Sequence, residues 1–432
     1  YAAGINARFL EINLKSLGRG APELLIYNIP LASWHPADSI AILKLFAVNS
    51  SSHYAKEILR ARTLITLPDP KRVIDILPDS PEFKNETTSE VISMLDADNL
   101  IRTKKNQPKL DFFNGFVNNR LAGASNSFAA NNFRTASEGT LLANDPHFKL
   151  SVPSQFYLAH LELSSGGIIG GTIPGIPTVV AGRSPYIGWG ISASYADDQD
   201  LYAEEINQND AEKYKSLDGW KTFRSEETVI KIKGDKSKKI KLKWSENGPV
   251  LDKVTSQISD ITPPHHEMAL SWTMLTPQDT SMTALINLTY SKDIKNALNA
   301  LEGHVAPSLN YTLIDKQNIA LQLAGKLPKR GSDHNTRGRL PSFGYKEENR
   351  WRGYKSYDTN PRIINPKIGL IANTNNKILD ELFPNHISYD WGDTQRIARL
   401  SRLMDSRKVH TRESFTEAQL DTISFPAKSL LP

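Results

Sequence analysis

Ser125 stands in the stretch GASNSFA, a small-residue turn of the kind that presents a nucleophile, with no histidine or acid beside it. A serine hydroxyl needs a base, and in a Ser/His/Asp triad a neighbouring imidazole supplies it. His147 follows 22 residues later (147 − 125) in NDPH, which reads as a structural corner. YADDQD brings Asp197 and Asp200 close about Gln199, and oxygen ligands this near one another suit a hard cation such as Ca²⁺. NTNNK, with Asn373, Asn375 and Asn376, has the composition of a turn. Three familiar sites are absent. GRSPYIG around Ser184 has Tyr186 where a nucleophile elbow needs its second glycine. PPHHEM lacks the H-E-x-x-H spacing that puts two ligands on one helical face. GGIIGG is not the dinucleotide-binding G-x-G-x-x-G, and no acid follows about 20 positions on.

The elements that must hold these residues fall into two regimes. Up to about residue 120 the pattern is mainly helical, in YAAGINARFLEINLKSL, in WHPADSIAILKLFAV with Pro36 near a first turn, and in HYAKEILRARTLI. Residues 67–124 are polar and Pro-bearing (PDPKRV, PDSPEFKNETTSE, RTKKNQPK), as in a surface linker or removable spacer. From Ser125 onward short apolar runs are broken by Gly, Pro and Asn: GTLLAND, PTVVAGRSPYIGWGIS, LYAEEIN and YTLIDKQNIALQLAG read as strands. VIKIKGDKSKKIKLKW predicts an exposed hairpin turning at Gly234-Asp235. No aromatics interleave its lysines to stack on bases, so no nucleic acid is expected. Helices return in TSMTALINL, SKDIKNALNALEG and DTQRIARLSRLMD.

Composition narrows the rest. The 432 residues carry 52 basic and 47 acidic side chains, a balance that implies no particular partner. With no Cys, disulfides, thiolate zinc sites and a cysteine nucleophile are excluded, and the chain fits an exported bacterial protein. No run of 18 apolar residues predicts a membrane span. The first residue is Tyr and the pattern opens in mid-helix, so the chain reads as a fragment of something longer.

GASNSFA followed by FRTASEGTLLANDPHF resembles the penicillin acylase (penicillin amidase) family of N-terminal nucleophile hydrolases. The likeness runs on in order through PGIPTVVAGRSPYIGWGISASYADDQDLYAE, WRGY, NPKIGLIANTNNK and YDWGDTQRIARL, and back through the N-terminal helices. The resemblance implies an α+β fold, the four-layer αββα sandwich, with a mainly helical α-chain part. It implies a precursor that cuts itself before the serine. Residues 1–66 would then be the remainder of an α chain, 67–124 the spacer region, and 125–432 the N-terminal portion of a β chain. An N-terminal serine carries its own base, because a freed α-amine has a pKa of about 7.7–8.0, near the value wanted of a general base at neutral pH.

The resemblance also assigns roles. Ser125 is the nucleophile, and His147 holds a position beside it that is His or Gln in the family. Phe148 matches a wall of the acyl pocket. The backbone N–H of Ala193 and the side-chain amide of Asn375 are the oxyanion donors, and Arg396 helps hold the site. A structural Ca²⁺ would be held by Glu57, Asp197, the Gln199 carbonyl and Asp200. A later acidic ligand of the family is matched here by Asn385, in FPNHISYDW. The expected activity is hydrolysis of the amide of a small-molecule N-acyl substrate. It would use no organic cofactor, in an α/β heterodimer located in the periplasm or secreted. The alternatives are a catalytically silent envelope homologue, or an acylase for acyl-homoserine lactones or lipopeptides rather than β-lactams.

Overall fold

A computed structural model describes residues 1–15, 31–51, 53–67, 72, 73, 75, 77, 94, 95, 124–148, 150–164, 166–253, 258–379 and 383–431. The spacer expected at 67–124 lies almost wholly outside the described residues. Helices α1 (Ala2–Lys15), α2 (Pro36–Ser50) and α3 (His53–Thr66) open the chain. Pro36 occupies the first turn of α2, where its missing N–H costs nothing, and the His35 N–H donates to Asp38 Oδ2 at 2.6 Å.

Eighteen strands follow among the described residues. They are β1 (Ala124–Ala130), β2 (Leu141–His147), β3 (Tyr157–Leu161), β4 (Ile168–Thr172), β5 (Ala181–Arg183), β6 (Gly188–Ala193), β7 (Gln199–Asn207), β8 (Asp210–Ser216), β9 (Gly219–Thr222), β10 (Arg224–Ile230), β11 (Lys238–Ser245), β12 (Gly248–Pro249), β13 (His266–Trp272), β14 (Leu309–Ile314), β15 (Ile319–Ala324), β16 (Ser342–Phe343), β17 (Arg362–Ile364) and β18 (Leu370–Asn373). Helices α4 (Ser281–Thr289) and α5 (Ile294–Leu301) come between β13 and β14, and α6 (Gln395–Asp405), α7 (Arg412–Gln419) and α8 (Phe425–Leu430) close the chain.

Two sheets lie face to face. One has the order β17-β15-β14-β6-β5-β4-β3 and the other β18-β1-β2. Ala129, Ile319, Leu321 and Ile371 fill the space between them. On the outer side of the smaller sheet, Phe128, Ala130 and Ala143 pack against Leu400 and Met404 of α6 and Phe415 of α7. On the outer side of the larger sheet, Trp189 and Tyr311 share a core with Leu285 and Leu288 of α4 and Leu298 and Leu301 of α5. This is the αββα arrangement, and strand alternation dictates it. In β1, Ser125, Ser127 and Ala129 face the second sheet, while Asn126, Phe128 and Ala130 face the helices. A third sheet, β13-β7-β8-β9 with β16 beside β7, packs its apolar face with α3 through Ile58, Ala61, Leu201, Met268 and Leu270.

Two sequence expectations are corrected. The exposed hairpin forms, but β10 ends at Ile230 opposite Lys238, so the connection runs from 231 to 237 instead of turning tightly at Gly234. The NDPH stretch is no corner: it is the end of β2, with Pro146 opposite Ser125.

Glu204 in β7 is fully buried, with Asn247 Nδ2 donating to Oε1 at 2.9 Å, and burial pushes its carboxyl up to about 7. A carboxyl raised in the folded state favours folding at low pH, and that contribution is lost as pH rises through the folded value. Stability is therefore expected to fall between pH 5 and pH 8, by at most about 3 kcal/mol from this group. Glu204→Gln should flatten that part of the curve, as read by urea unfolding at the two pH values.

Candidate active site

The Ser125 side chain is buried between the sheets at the start of β1. Its Oγ accepts from the backbone N–H of Ala193, at the end of β6, at 3.2 Å, and from Asn375 Nδ2 at 2.9 Å. Its own nitrogen donates to Asn375 Oδ1 at 2.8 Å. Asn375 therefore grips the serine at both ends with one amide.

The orientation of that amide is settled by its other partners. Arg396, in the first turn of α6, donates through Nη2 to Asn375 Oδ1 at 2.9 Å and to the Thr374 carbonyl at 2.5 Å. Nη1 donates to the Ser125 carbonyl at 3.1 Å and to Asn126 Oδ1 at 3.0 Å. Two donors on Oδ1 leave Nδ2 to serve Ser125 Oγ and the Ala193 carbonyl, the latter at 2.8 Å. Asn375 reaches this position from the residue pair just past β18, with φ at +67°, a left-handed conformation that Asn tolerates better than most residues. The Gly392 N–H closes on the Asn375 carbonyl at 2.9 Å, and a Cβ at Gly392 would lie 2.7 Å from that oxygen. Of the neighbouring asparagines, Asn373 Oδ1 accepts from Ser192 Oγ at 2.6 Å and Asn376 Oδ1 accepts from the Thr374 N–H at 3.0 Å. Both shape the turn that presents Asn375.

His147 is not brought to the hydroxyl. Ala124 is its partner across the ladder, so alternation turns the imidazole to the opposite face of β1 and β2 from the Ser125 side chain. There its Nε2 lies 2.7 Å from Asp145 Oδ2 and 3.4 Å from Asn126 Nδ2, joining the Arg396–Asn126 side of the network. Phe148 does come near. It lines a narrow apolar recess with Ser125, Phe46, Pro146, Ile191 and Leu309, its ring 6.2 Å from Phe46 and 5.3 Å from Phe156. Beyond Pro146 and Phe148 the recess adjoins an apolar groove of about 940 Å³ walled by Phe156, Leu158, Ile169 and Trp189. A cavity of about 480 Å³, lined by Ala124, Tyr195, Asp198, Asp390 and Arg396, opens on the other side.

Three of the four residues expected to hold a Ca²⁺, Asp197, Gln199 and Asp200, meet at a side chain, with Glu57 beside them. Arg330 Nη2 lies 2.7 Å from Asp197 Oδ1, 2.9 Å from Asp200 Oδ1 and 3.2 Å from the Gln199 carbonyl, and Nε donates to Asp200 Oδ2 at 2.9 Å. Glu57 Oε2 accepts from the Leu201 N–H at 3.2 Å. Burial, with Asp200 and Asp197 nearby, pushes the Glu57 carboxyl well above the usual range. Burial would also raise Asp197, but Arg330 and His53 hold it well below that range. This set does not fit a metal, because a guanidinium stands where the oxygens of Asp197, Gln199 and Asp200 meet. At the position of the family's later acidic ligand, it is the neighbour of Asn385 that reaches the cluster: His386 Nε2 lies 2.9 Å from Asp197 Oδ2.

The Penicillin amidase family model matches residues 1–432 of this sequence. The chain belongs to the penicillin amidase family. Relatives include the acyl-homoserine lactone acylase QuiP of Pseudomonas aeruginosa, 28% identical over 311 residues, covering 71% of this chain and 36% of that protein. The penicillin acylase 2 proenzyme of a Pseudomonas strain is 23% identical over 443 residues, covering 98% of this chain and 53% of its own. Among solved structures, a thermostable penicillin G acylase from Alcaligenes faecalis superposes with a TM-score of 0.60 at 23% identity, over 68% of this chain and 51% of that one. That likeness establishes the N-terminal nucleophile hydrolase fold. The chain spans between about a third and about half of the relatives' length.

Residues that sequence reading passed over are Asn126, Asn144, Gly392 and Arg330. Asn144 joins the sheets, its Nδ2 donating to the Ile191 carbonyl at 2.8 Å and its Oδ1 accepting from the Ile191 N–H at 3.0 Å. Asn126 and Gly392 sit inside the quoted motifs SNS and WGD, so proximity to the motif residues was the available signal. Arg330 had none.

Gly392→Ala should force the Asn375 carbonyl away from its N–H partner. A loss of about 1–3 kcal/mol, typical of overpacking against backbone, is expected in urea unfolding.

Proposed function

We propose that the whole protein is a self-processing amidohydrolase that hydrolyses an N-acyl amide through an acyl-enzyme on Ser125. The observation that carries this reading is the double hold of Asn375 on the serine: Nδ2 at 2.9 Å from Oγ and Oδ1 at 2.8 Å from the serine nitrogen. Such an arrangement is of use chiefly if that nitrogen becomes an amine. Cleavage of the Ala124–Ser125 bond would make it one, with its lone pair next to the hydroxyl it must deprotonate.

In this mechanism Ser125 Oγ attacks the substrate carbonyl carbon while the serine amine takes the hydroxyl proton. The carbonyl oxygen gains the negative charge next to Oγ, where the Ala193 N–H and Asn375 Nδ2 already converge. Each such donor is worth roughly 3–4 kcal/mol of barrier. The amine passes the proton to the leaving nitrogen as the C–N bond breaks, leaving an ester on Oγ. Water, deprotonated by the same amine, attacks the ester; the C–Oγ bond breaks as the amine returns that proton to Oγ, and the carboxylic acid departs. Arg396 is a positioning residue that keeps the Asn375 amide correctly turned and adds positive charge behind it.

The recess at Phe148 and the groove beyond it favour an apolar acyl group, and the more polar cavity at Asp198 and Arg396 suits the amine side. The relatives' names include acylases of acyl-homoserine lactones and of penicillins, and both chemistries fit an apolar acyl chain joined to a polar amine. The mature protein would be a heterodimer of an α and a β chain cut from one precursor, placed in the periplasm or outside the cell. Among the described residues no helix is long and apolar enough to cross a membrane.

Ser125→Ala is expected to leave the full-length precursor uncut on a denaturing gel and to abolish amide hydrolysis. Cleavage at the same bond in that variant would overturn the mechanism. In protein that has matured, Asn375→Ala should lower kcat by about 10²–10³-fold. The matching change at Asn376, which holds the turn at Thr374 and does not touch Ser125, should lower kcat far less.

A further inference from the structure

Asp197, Gln199 and Asp200 lie at the start of β7, and α3 brings Glu57 and His53 against them. Three acidic side chains in one buried place must be compensated, since burying unpaired charge costs several kcal/mol per ion. Among the described residues, no group of three or more His, Asp or Glu side chains is arranged to hold a metal ion. The compensation comes from Arg330, in the segment between β15 and β16. Its side chain is only 8% exposed.

The fit is that of a planar fork, not of a sphere. Nε and Nη2 together address Asp200, at 2.9 Å to Oδ2 and 2.9 Å to Oδ1, the bidentate geometry that a guanidinium makes with a carboxylate. Nη2 also donates to Asp197 Oδ1 at 2.7 Å and to the Gln199 carbonyl at 3.2 Å. A Ca²⁺ would draw these oxygens to about 2.3–2.6 Å from one centre, which is where Nη2 stands. The surroundings are cut to the same shape. Gly338 has φ at +82°, and a Cβ there would lie 2.6 Å from Arg330 Cζ and 2.6 Å from Asp200 Oδ1. Trp351 Nε1 also donates to Asp200 Oδ2, the oxygen that takes Arg330 Nε.

The cluster also holds neighbouring elements together. The Tyr54 N–H of α3 donates to Gln199 Oε1 at 2.8 Å, and His53 Nε2 lies 2.8 Å from Asp197 Oδ1. The Asp197 N–H donates to the Ile387 carbonyl at 2.7 Å, fixing the segment that leads to Asp390 and Gly392. Asp390 accepts from Nη1 and Nη2 of Arg60, in α3, at 2.9 and 2.6 Å. The cationic centre thus ties the helical part to β7 and to the segment that backs Asn375.

We propose that the Arg330 guanidinium is a built-in cation that stands in place of a divalent metal, so that this protein binds no calcium at the Asp197–Asp200 cluster. The first test uses the full-length wild-type protein, expressed with calcium, dialysed against calcium buffer and then against EDTA. Inductively coupled plasma mass spectrometry should find no stoichiometric calcium, and the melting temperature should be the same before and after chelation. One calcium per chain, with a melting temperature that falls on chelation, would overturn the proposal. The second test is Arg330→Gly, which opens the acidic cluster. Its melting temperature should fall below the parent's and rise again with added CaCl₂, to which the parent does not respond, as expected of a ligand that binds only the folded state. A glycine variant that folds as stably as the parent, or one that folds and ignores calcium, would contradict the equivalence of guanidinium and metal. Failure of that variant to fold, beside a calcium-free parent, supports it.

Discussion

Everything at the site depends on the conformation of one asparagine amide. Asn375 must turn Nδ2 toward Ser125 Oγ and Oδ1 toward the serine nitrogen, and an amide free to flip would do so only part of the time. Arg396 removes the ambiguity by donating to Oδ1, which leaves only the NH₂ end for the hydroxyl. The backbone cost of the left-handed φ at Asn375 is offset by the Gly392 N–H on its carbonyl and by the asparagine turn on either side. Without Arg396 on Oδ1, the Asn375 amide is free to turn its NH₂ end away from the hydroxyl.

That asparagine can meet the serine because two sheets are stacked and strand alternation aims Ser125 inward. β1 is the central strand of the smaller sheet, and its period of two sends the serine toward β6 while Phe128 and Ala130 anchor the helices behind it. Ala193 ends β6, opposite Leu309 of β14, and its N–H points at Oγ. The same alternation takes His147 away from the hydroxyl. Its neighbour Pro146, opposite Ser125, faces the site in its stead.

Much of this was legible in the sequence, and for physical reasons. The central strands of the larger sheet, β6, β14 and β15, read as apolar runs because both their faces are covered, and α5 read clearly because Ile294, Ala297, Leu298 and Leu301 keep helical spacing. Ser125, Ala193, Asn375 and Arg396 were named from ordered motifs, and the fold brings those four into direct contact. What escaped was set by register and long-range packing. His147 lies within a named motif, yet its facing depends on which residue stands across the ladder. Arg330 lies 130 residues from Asp200 in the chain, with no local pattern to mark it, so the acidic cluster read as a cation site without its resident cation.

The central claim is that Ser125 is a generated N-terminus, and intact-mass analysis of the full-length gene product with N-terminal sequencing of its fragments tests it most directly. The account predicts a fragment that begins Ser-Asn-Ser-Phe-Ala, carrying the serine whose nitrogen is held by Asn375. A single uncut chain, folded and active on an N-acyl amide, would contradict it.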